Sequence, residues 1–162
     1  MDEIDLRYTE EGDAPYLESW LLNPEVHRWL PMGQEGEIRS TVLPWISFAK
    51  YRCSLTALFS GTVCGMGTLF LMPYRKVAHH CLFKVVVDPA FQRKGVGTAL
   101  IRNLKNLARR YFRLENIQIE IFEGNPIEKI LRREGFVQMV RQERFIKEGD
   151  IYRARIVYEV EL

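Results

Sequence analysis

"DPAFQRKGVGTAL", residues 88–100, follows the β-branched run Val85-Val86-Val87 and opens a helical pattern, so Gly95 and Gly97 fall where a strand turns into a helix. Glycine lets the backbone approach a ligand and turn without a Cβ penalty. A helix starting here aims unpaired N–H groups and its positive dipole end at an anion, and phosphate suits such a turn. The P-loop spacing is absent, because Lys94 precedes the first glycine instead of following the second. The dinucleotide fingerprint is absent as well: it needs a third glycine where Leu100 stands, in a first β-α turn rather than mid-chain.

Outward from this turn the period of the apolar residues sets the elements. Ile4, Leu6 and Tyr8 alternate with charge as a half-buried strand. "GDAPYLESWLL" reads as a helix with Asp13 as N-cap and Pro15 in its first turn, "NPEVHRWL" as a second short helix, and "EIRSTVLPWISFAKY" as a third that Pro44 should bend or split. Residues 53–59 and 63–72 form a hairpin about the Ser60-Gly61 turn, and "HHCLFKVVVD" is a further strand. In "GVGTALIRNLKNLARRYF" Leu100, Leu104 and Leu107 share one helix face. "NIQIEIFE" alternates, "NPIEKILRREGF" is a helix closed by Gly135, and two alternating runs about "KEGD" make a terminal hairpin. The order predicts an α+β (mixed α/β) fold, a mixed sheet with helices packed on it, and disfavours a Rossmann fold.

With 162 residues the chain has the length of a single domain, residues 1–162, with a sizeable core. Its 23 Lys+Arg against 21 Asp+Glu leave a net charge of +2, which argues against a nucleic-acid binder. Three cysteines, Cys53, Cys64 and Cys81, without a Cys-x-x-Cys pair give neither a disulfide framework nor a zinc spacing, so no metal is expected and reduced, cytoplasmic thiols fit. The acidic N-terminus lacks the apolar core of a secretory signal, and the mature chain is expected to start there. Residues 53–74 carry no charge, but the turn at their middle divides them into pieces too short to span a membrane.

Gln92-Arg93-Lys94-Gly95-Val96-Gly97 satisfies a third phosphate-binding pattern, Gln/Arg-x-x-Gly-x-Gly/Ala, directly after a strand ending Asp88-Pro89. In this the chain resembles the GNAT superfamily of N-acetyltransferases. A second block, "IQIEIFEGNPIEKILRREGF", is similar to that family's later motif, with Asn125 on its Asn and Gly135-Phe136 on its Gly-Phe. The resemblance covers essentially the whole chain. It implies a mostly antiparallel sheet of about seven strands with a splayed parallel pair, flanked by about four helices. It further implies acetyl-CoA as co-substrate, its pyrophosphate held by backbone N–H groups from Gln92 through Arg93, Lys94, Gly95, Val96 and Gly97 to Thr98. Val85, Val86 and Val87 are placed along the pantetheine arm, where free strand groups bond it as an added strand, and Asn125 beside the cofactor. A backbone N–H of the same strand aimed at the thioester oxygen stabilises the developing oxyanion.

Glu120 is the candidate general base, at the spacing from Asn125 that the resemblance to ribosomal-protein acetyltransferases implies; the competing reading is a solvated strand glutamate. Alternation sets Gln118, Glu120 and Phe122 opposite Ile117, Ile119 and Ile121. A carboxylate near ~4.3 reaches an amine near ~10 through a water, or with its own pKa raised by burial. Cys81 stands where many relatives carry a glutamate base, which leaves His80 as a substitute or as a structural residue. Leu131 stands where the family often has a tyrosine that protonates the departing thiolate. Arg93 and Lys94 are expected to face phosphate, whereas Arg102, Lys105, Arg109, Arg110 and Arg113 read better as a solvated helix face than as a 3′-phosphate site.

The acceptor is an amine, either a protein N-terminus or a small molecule, walled by Trp29 and Leu30. The spacing W-L-x-x-P-x-V-x-x-W over residues 20–29 is similar in both aminoglycoside 6′-acetyltransferases and ribosomal-protein acetyltransferases. The expected partners are acetyl-CoA and that amine, with no nucleic acid and no membrane, in a monomer or homodimer. The alternative reading is a catalytically silent CoA-binding sensor or interaction domain, suggested by Cys81 and Leu131.

Overall fold

The structure is a computed structural model, and it describes residues 3–162. Strand β1 (Ile4–Tyr8) leads into three helices, α1 (Ala14–Leu22), α2 (Pro24–His27) and α3 (Glu35–Ile46). The hairpin β2 (Ser54–Phe59) and β3 (Thr62–Leu71) follows, then β4 (His80–Val87), α4 (Val96–Arg110), β5 (Asn116–Phe122), α5 (Ile127–Arg133) and the hairpin β6 (Val137–Glu148) and β7 (Ile151–Glu161). All seven strands join one sheet in the order β1-β2-β3-β4-β5-β7-β6. Every neighbouring pair is antiparallel except β4 and β5.

Strand alternation sends side chains to two helical layers. On one face Val96, Leu100, Ile101 and Leu104 of α4 and Leu131 of α5 pack on Phe83, Ile117, Ile119 and Ile121. On the other, Leu17, Leu21, Ile38, Val42 and Trp45 of α1 and α3 pack on Met66 and Val86. Each fully buried Leu or Ile contributes about 1.5–3 kcal/mol, so both layers are held to the sheet chiefly by apolar burial. The α1-α3 layer, the outer one, covers β3 and β4, and β6 is exposed along almost its whole length.

Three local expectations are revised. Asp13 does not cap α1: its carboxylate takes two bonds from the Arg7 guanidinium, at 2.8 and 2.9 Å, and one each from Glu10 N and the Thr56 hydroxyl. It ties β1 and β2 to the turn before α1. Pro44 does not split α3, which runs through it to Ile46 and then tightens into a 3₁₀ turn over Ser47–Tyr51. The missing N–H falls near the helix end, where little ladder remains to be lost. The second helix covers only Pro24–His27, started by Asn23 accepting from Glu25 N. Within the uncharged residues 53–74 lies the β2-β3 hairpin, with Ser60 and Gly61 both left-handed at its tip as a type I′ turn requires. Among the described residues no helix is long and apolar enough to cross a membrane.

Candidate active site

The parallel pairing of β4 and β5 is brief. It runs from His80–Asn116 to Leu82–Gln118 and stops. Beyond it β4 stays paired to β3 as far as Val87–Gly65, and β5 stays paired to β7 as far as Phe122–Arg155. The strands therefore part, and the facing edges of Phe83–Val87 and Ile119–Phe122 carry backbone groups without ladder partners. Such groups need water or a ligand.

The glycine turn lies at the mouth of this cleft. Asp88 fixes the chain leaving β4, donating its N–H to Cys64 O at 2.8 Å and accepting from Ala90 N at 2.9 Å. Arg93 and Gly95 then take left-handed conformations, with φ of 61° and 88°, and the first helical bond is Ala99 N to Gly95 O. The N–H groups of Arg93 through Thr98 consequently donate no hydrogen bond among the described residues. Gly95 needs to be glycine for its φ. Gly97 does not: its backbone is helical, and a Cβ there would sit 3.5 Å from Ile130 and 3.9 Å from Val87, at ordinary contact distance. Gly97 thus faces the gap between the end of β4 and α5.

The remaining cofactor candidates separate. Val86 is buried against the outer helical layer, whereas Val85 and Val87 are half-buried on the α4 side. Gln92 and Arg93 are exposed, and the Lys94 ammonium lies over the Phe59 ring, 5.4 Å from its centroid. Asn125 spends its side-chain oxygen on Ile127 N at 3.1 Å, starting α5, and its amide nitrogen has no partner among the described residues. Arg102 pairs with the Glu134 carboxylate at 2.5 Å and Lys105, half-buried, donates to the Glu134 carbonyl at 2.7 Å, so both cations are held by the chain just after α5.

Glu120 projects from β5 to the face of the outer helices and is about 29% exposed. One of its oxygens lies 3.0 Å from Arg155 Nε, off the axis of a hydrogen bond, so the contact is an ion pair. Its other oxygen has no partner among the described residues. Lys84 of β4 stands on the same face; burial lowers its pKa, and the Glu120 carboxylate opposes that. His80 does not meet Glu120. Its Nδ1 lies 3.3 Å from Gln118 Oε1, and Gln118 donates in turn to Asn116 and Glu159.

Cys81 points the other way, is fully buried, and has its thiol pushed up to about 12 by burial and then by Cys53. A thiol so held is protonated at neutral pH and offers no nucleophile. Leu131 is fully buried in the α4-side core. Of the two wall residues, Trp29 reaches the β5 and β7 side, between the Arg28 and Arg153 guanidinium groups at 4.7 and 5.8 Å and beside Gly124. Leu30 packs into the helical layer.

Lys84 and Arg155 are neighbours of Glu120 that the sequence reading missed. Lys84 is a lone charge inside "LFKVVV", and period 2 in "YRARIVYEV" puts Arg153 and Arg155 on one face. Those signals exist, but which face they share with Glu120 depends on the β5-β7 register.

The acetyltransferase (GNAT) family matches the chain over residues 14–131. An L-amino acid N-acetyltransferase, AaaT of Escherichia coli K12, is 25% identical over 142 residues, covering 84% of each chain. The structure of yncA from Salmonella typhimurium with its cofactor acetyl-CoA superposes with a TM-score of 0.84 at 15% identity, over 98% of this chain and 94% of that one. A ribosomal-protein-alanine N-acetyltransferase from Brucella melitensis gives 0.79 at 18% identity, over 98% and 99%.

Proposed function

The chain belongs to the acetyltransferase (GNAT) family, and as an N-acetyltransferase we propose that it moves the acetyl group of acetyl-CoA directly to a primary amine in a ternary complex, with Glu120 as general base. The observation that carries the cofactor assignment is the turn at the cleft mouth. Its N–H groups from Arg93 to Thr98 lack partners among the described residues, and Gly97 is a glycine where neither φ nor the protein's own packing asks for one. Close approach of a pyrophosphate accounts for both.

Acetyl-CoA supplies an activated acyl carbon. The free edge of β4 beyond Leu82 binds the pantetheine arm as an added strand and presents an N–H to the thioester oxygen, where negative charge develops on attack. Glu120, across the cleft on β5, takes the proton released by the attacking amine, directly or through a water. The free Glu120 oxygen is the accepting atom, since the other faces Arg155. The acceptor enters from the face that carries Glu120, past Trp29. Both an amino acid and a peptide N-terminus present a primary amine to this site.

The reading as a silent CoA-binding sensor or interaction domain rests on Cys81 and Leu131, and both are filled core positions in the structure. The test is calorimetric titration of acetyl-CoA into wild type and Gly97→Val. The Val side chain projects where protein atoms leave ordinary contact distance, so a folded variant should bind about tenfold more weakly or worse. Equal affinity in a folded variant refutes the cofactor assignment.

A further inference from the structure

Two cations that acetyl transfer itself does not require stand beside Glu120. Lys84 leaves β4 just past the end of the parallel ladder, on the Glu120 face. Its Nζ sits 5.4 Å from the centroid of Trp45 and 5.7 Å from that of Phe70, with the Trp45 ring fixed by its Nε1 bond to Thr68 Oγ1 at 2.9 Å. Lys84 is half-buried, yet it donates no hydrogen bond and enters no ion pair among the described residues. Arg155 lies diagonally across the β5-β7 ladder from Glu120, which pairs with Val157. Among the described residues its Nε is sheltered from solvent without a hydrogen-bond acceptor, and only Nη1 has one, Gln142 Oε1 at 3.3 Å. Arg153, next on the same face, lies over Trp29.

A sheltered donor without an acceptor costs free energy, and Arg155 Nε, which meets the Glu120 carboxylate only off the hydrogen-bond axis, is one; Lys84 beside it is half-buried and unpaired among the described residues, so the two cations leave room for a second anion. A carboxylate is the anion whose two oxygens can serve an ammonium and a guanidinium together. In an α-amino acid the carboxylate and the amine hang from the same carbon. Seating the first between Lys84 and Arg155 therefore brings the second to Glu120. A peptide N-terminus offers at that place a neutral amide, with one oxygen and an N–H donor that faces the cations poorly.

We infer that Lys84 and Arg155 form the seat for the acceptor's carboxylate, and that the acceptor is a free amino acid rather than a peptide N-terminus. The inference rests on the acetyl transfer proposed above and deepens it. Lys84 acts here as a specificity-determining residue, and Arg155 both orients Glu120 and completes the seat.

The test follows thiol release from acetyl-CoA by the wild-type protein with L-amino acids, their carboxamides and short peptides with free N-termini. The free acids should exceed the matched amides by about tenfold or more in kcat/KM. Lys84→Met keeps the aliphatic stem and should bring the acid-to-amide ratio close to one, mainly through KM of the acid. Lys84→Arg, which retains the cation, should keep most of the preference. Amides or peptides that match the acids in the wild-type protein overturn the inference, and that comparison needs no variant to fold. So does a Lys84→Met protein, folded by circular dichroism, that loses acid and amide turnover in equal proportion. Turnover of peptides alone leaves acetyl transfer standing and removes the carboxylate seat. Failure to bind acetyl-CoA removes the earlier reading instead.

Discussion

Glu120→Gln keeps the side chain's shape and removes its charge, and its consequences for folding and for rate differ by enough to be told apart. The anion lost stands 3.0 Å from Arg155 Nε in a pair that is about 29% exposed on each side. Partly solvated pairs of this kind are worth about 1 kcal/mol or less. In a domain of this size that lowers Tm by about 2–4 °C. A positioned general base contributes about 10²–10⁴ in rate, which is about 3–5 kcal/mol of barrier. Turnover should therefore fall by about a hundredfold or more in a protein that remains folded at assay temperature.

The assay is initial-rate thiol release at saturating acetyl-CoA, with calorimetry to show that acetyl-CoA affinity is retained. The pH profile gives a second readout. A base works only when deprotonated, so the acidic limb of kcat should vanish with the carboxylate. Loss of Glu120 also removes the charge that favours the Lys84 ammonium, so the Lys84 pKa, already lowered by burial, should fall further. Turnover within a few-fold of wild type, with the acidic limb intact, refutes the role of Glu120. Loss of activity in His80→Ala alongside that result places the base on β4.

Asp13 is buried, which disfavours its charge, but bonds from Arg7, Glu10 N and Thr56 outweigh burial and hold its carboxyl below the usual range. The stabilisation this gives is complete above the unfolded pKa of ~3.9 and is lost as pH falls through the lower folded value; Asp13→Asn should cost about 2–3 kcal/mol in urea melts at pH 7, and the gap should close below pH ~4. Gly65→Ala sets a Cβ 3.0 Å from the Val86 carbonyl oxygen, a backbone atom, so it should lower stability by about 1–3 kcal/mol, and thermal melts should show a smaller loss for Gly67→Ala, whose 2.7 Å contact is the rotatable tip of Leu104. Leu131→Tyr enters a fully buried position with a hydroxyl that lacks a partner, so Tm should drop while turnover stays within a few-fold; a large rise in turnover at unchanged acetyl-CoA affinity refutes the assignment of amine attack as the slow step.

What was legible in the sequence was what depends on neighbours in the chain. The glycine turn follows from β-branched residues, Asp88-Pro89 and two glycines in a row of thirteen residues, and Gly135 closes α5 with φ of 88° as its place before Phe136 implies. The opposed faces of β5 follow from alternation alone, and Ile117, Ile119 and Ile121 do enter the core. What was not legible depends on partners far away. Asp13 reads as a cap because Arg7 and Thr56 meet it only once β1 and β2 pair. Arg155 becomes Glu120's neighbour only through the register Glu120–Val157, and a shift by one residue would carry it to the opposite face. Lys84 reads as an interruption in an apolar strand until α3 brings Trp45 over it.

The two positions at which this chain departs from its family's pattern share a physical property: Cys81 and Leu131 are both fully buried, on the face of the sheet opposite Glu120. Proton transfer in the proposed reaction is thereby confined to the acceptor side, and the consequence for the leaving group can be argued. A phenol does pack beneath α5, but it belongs to Tyr158 of β7, whose hydroxyl donates to Glu128 Oε1 at 2.8 Å. Burial and then Glu128 raise its pKa above the ordinary tyrosine value. Glu128 also binds Arg132, so this proton is committed to a structural network. A thiol near ~8.5 is already a stronger acid than any phenol near ~10, so the thiolate departs without needing that proton. While it keeps its extra proton the amine is the better leaving group from the tetrahedral intermediate; once Glu120 removes that proton the nitrogen could leave only as an amine anion, and the thiolate departs instead. One base on the acceptor face is then sufficient, and a core leucine at 131 costs the reaction nothing that the thiolate does not already supply.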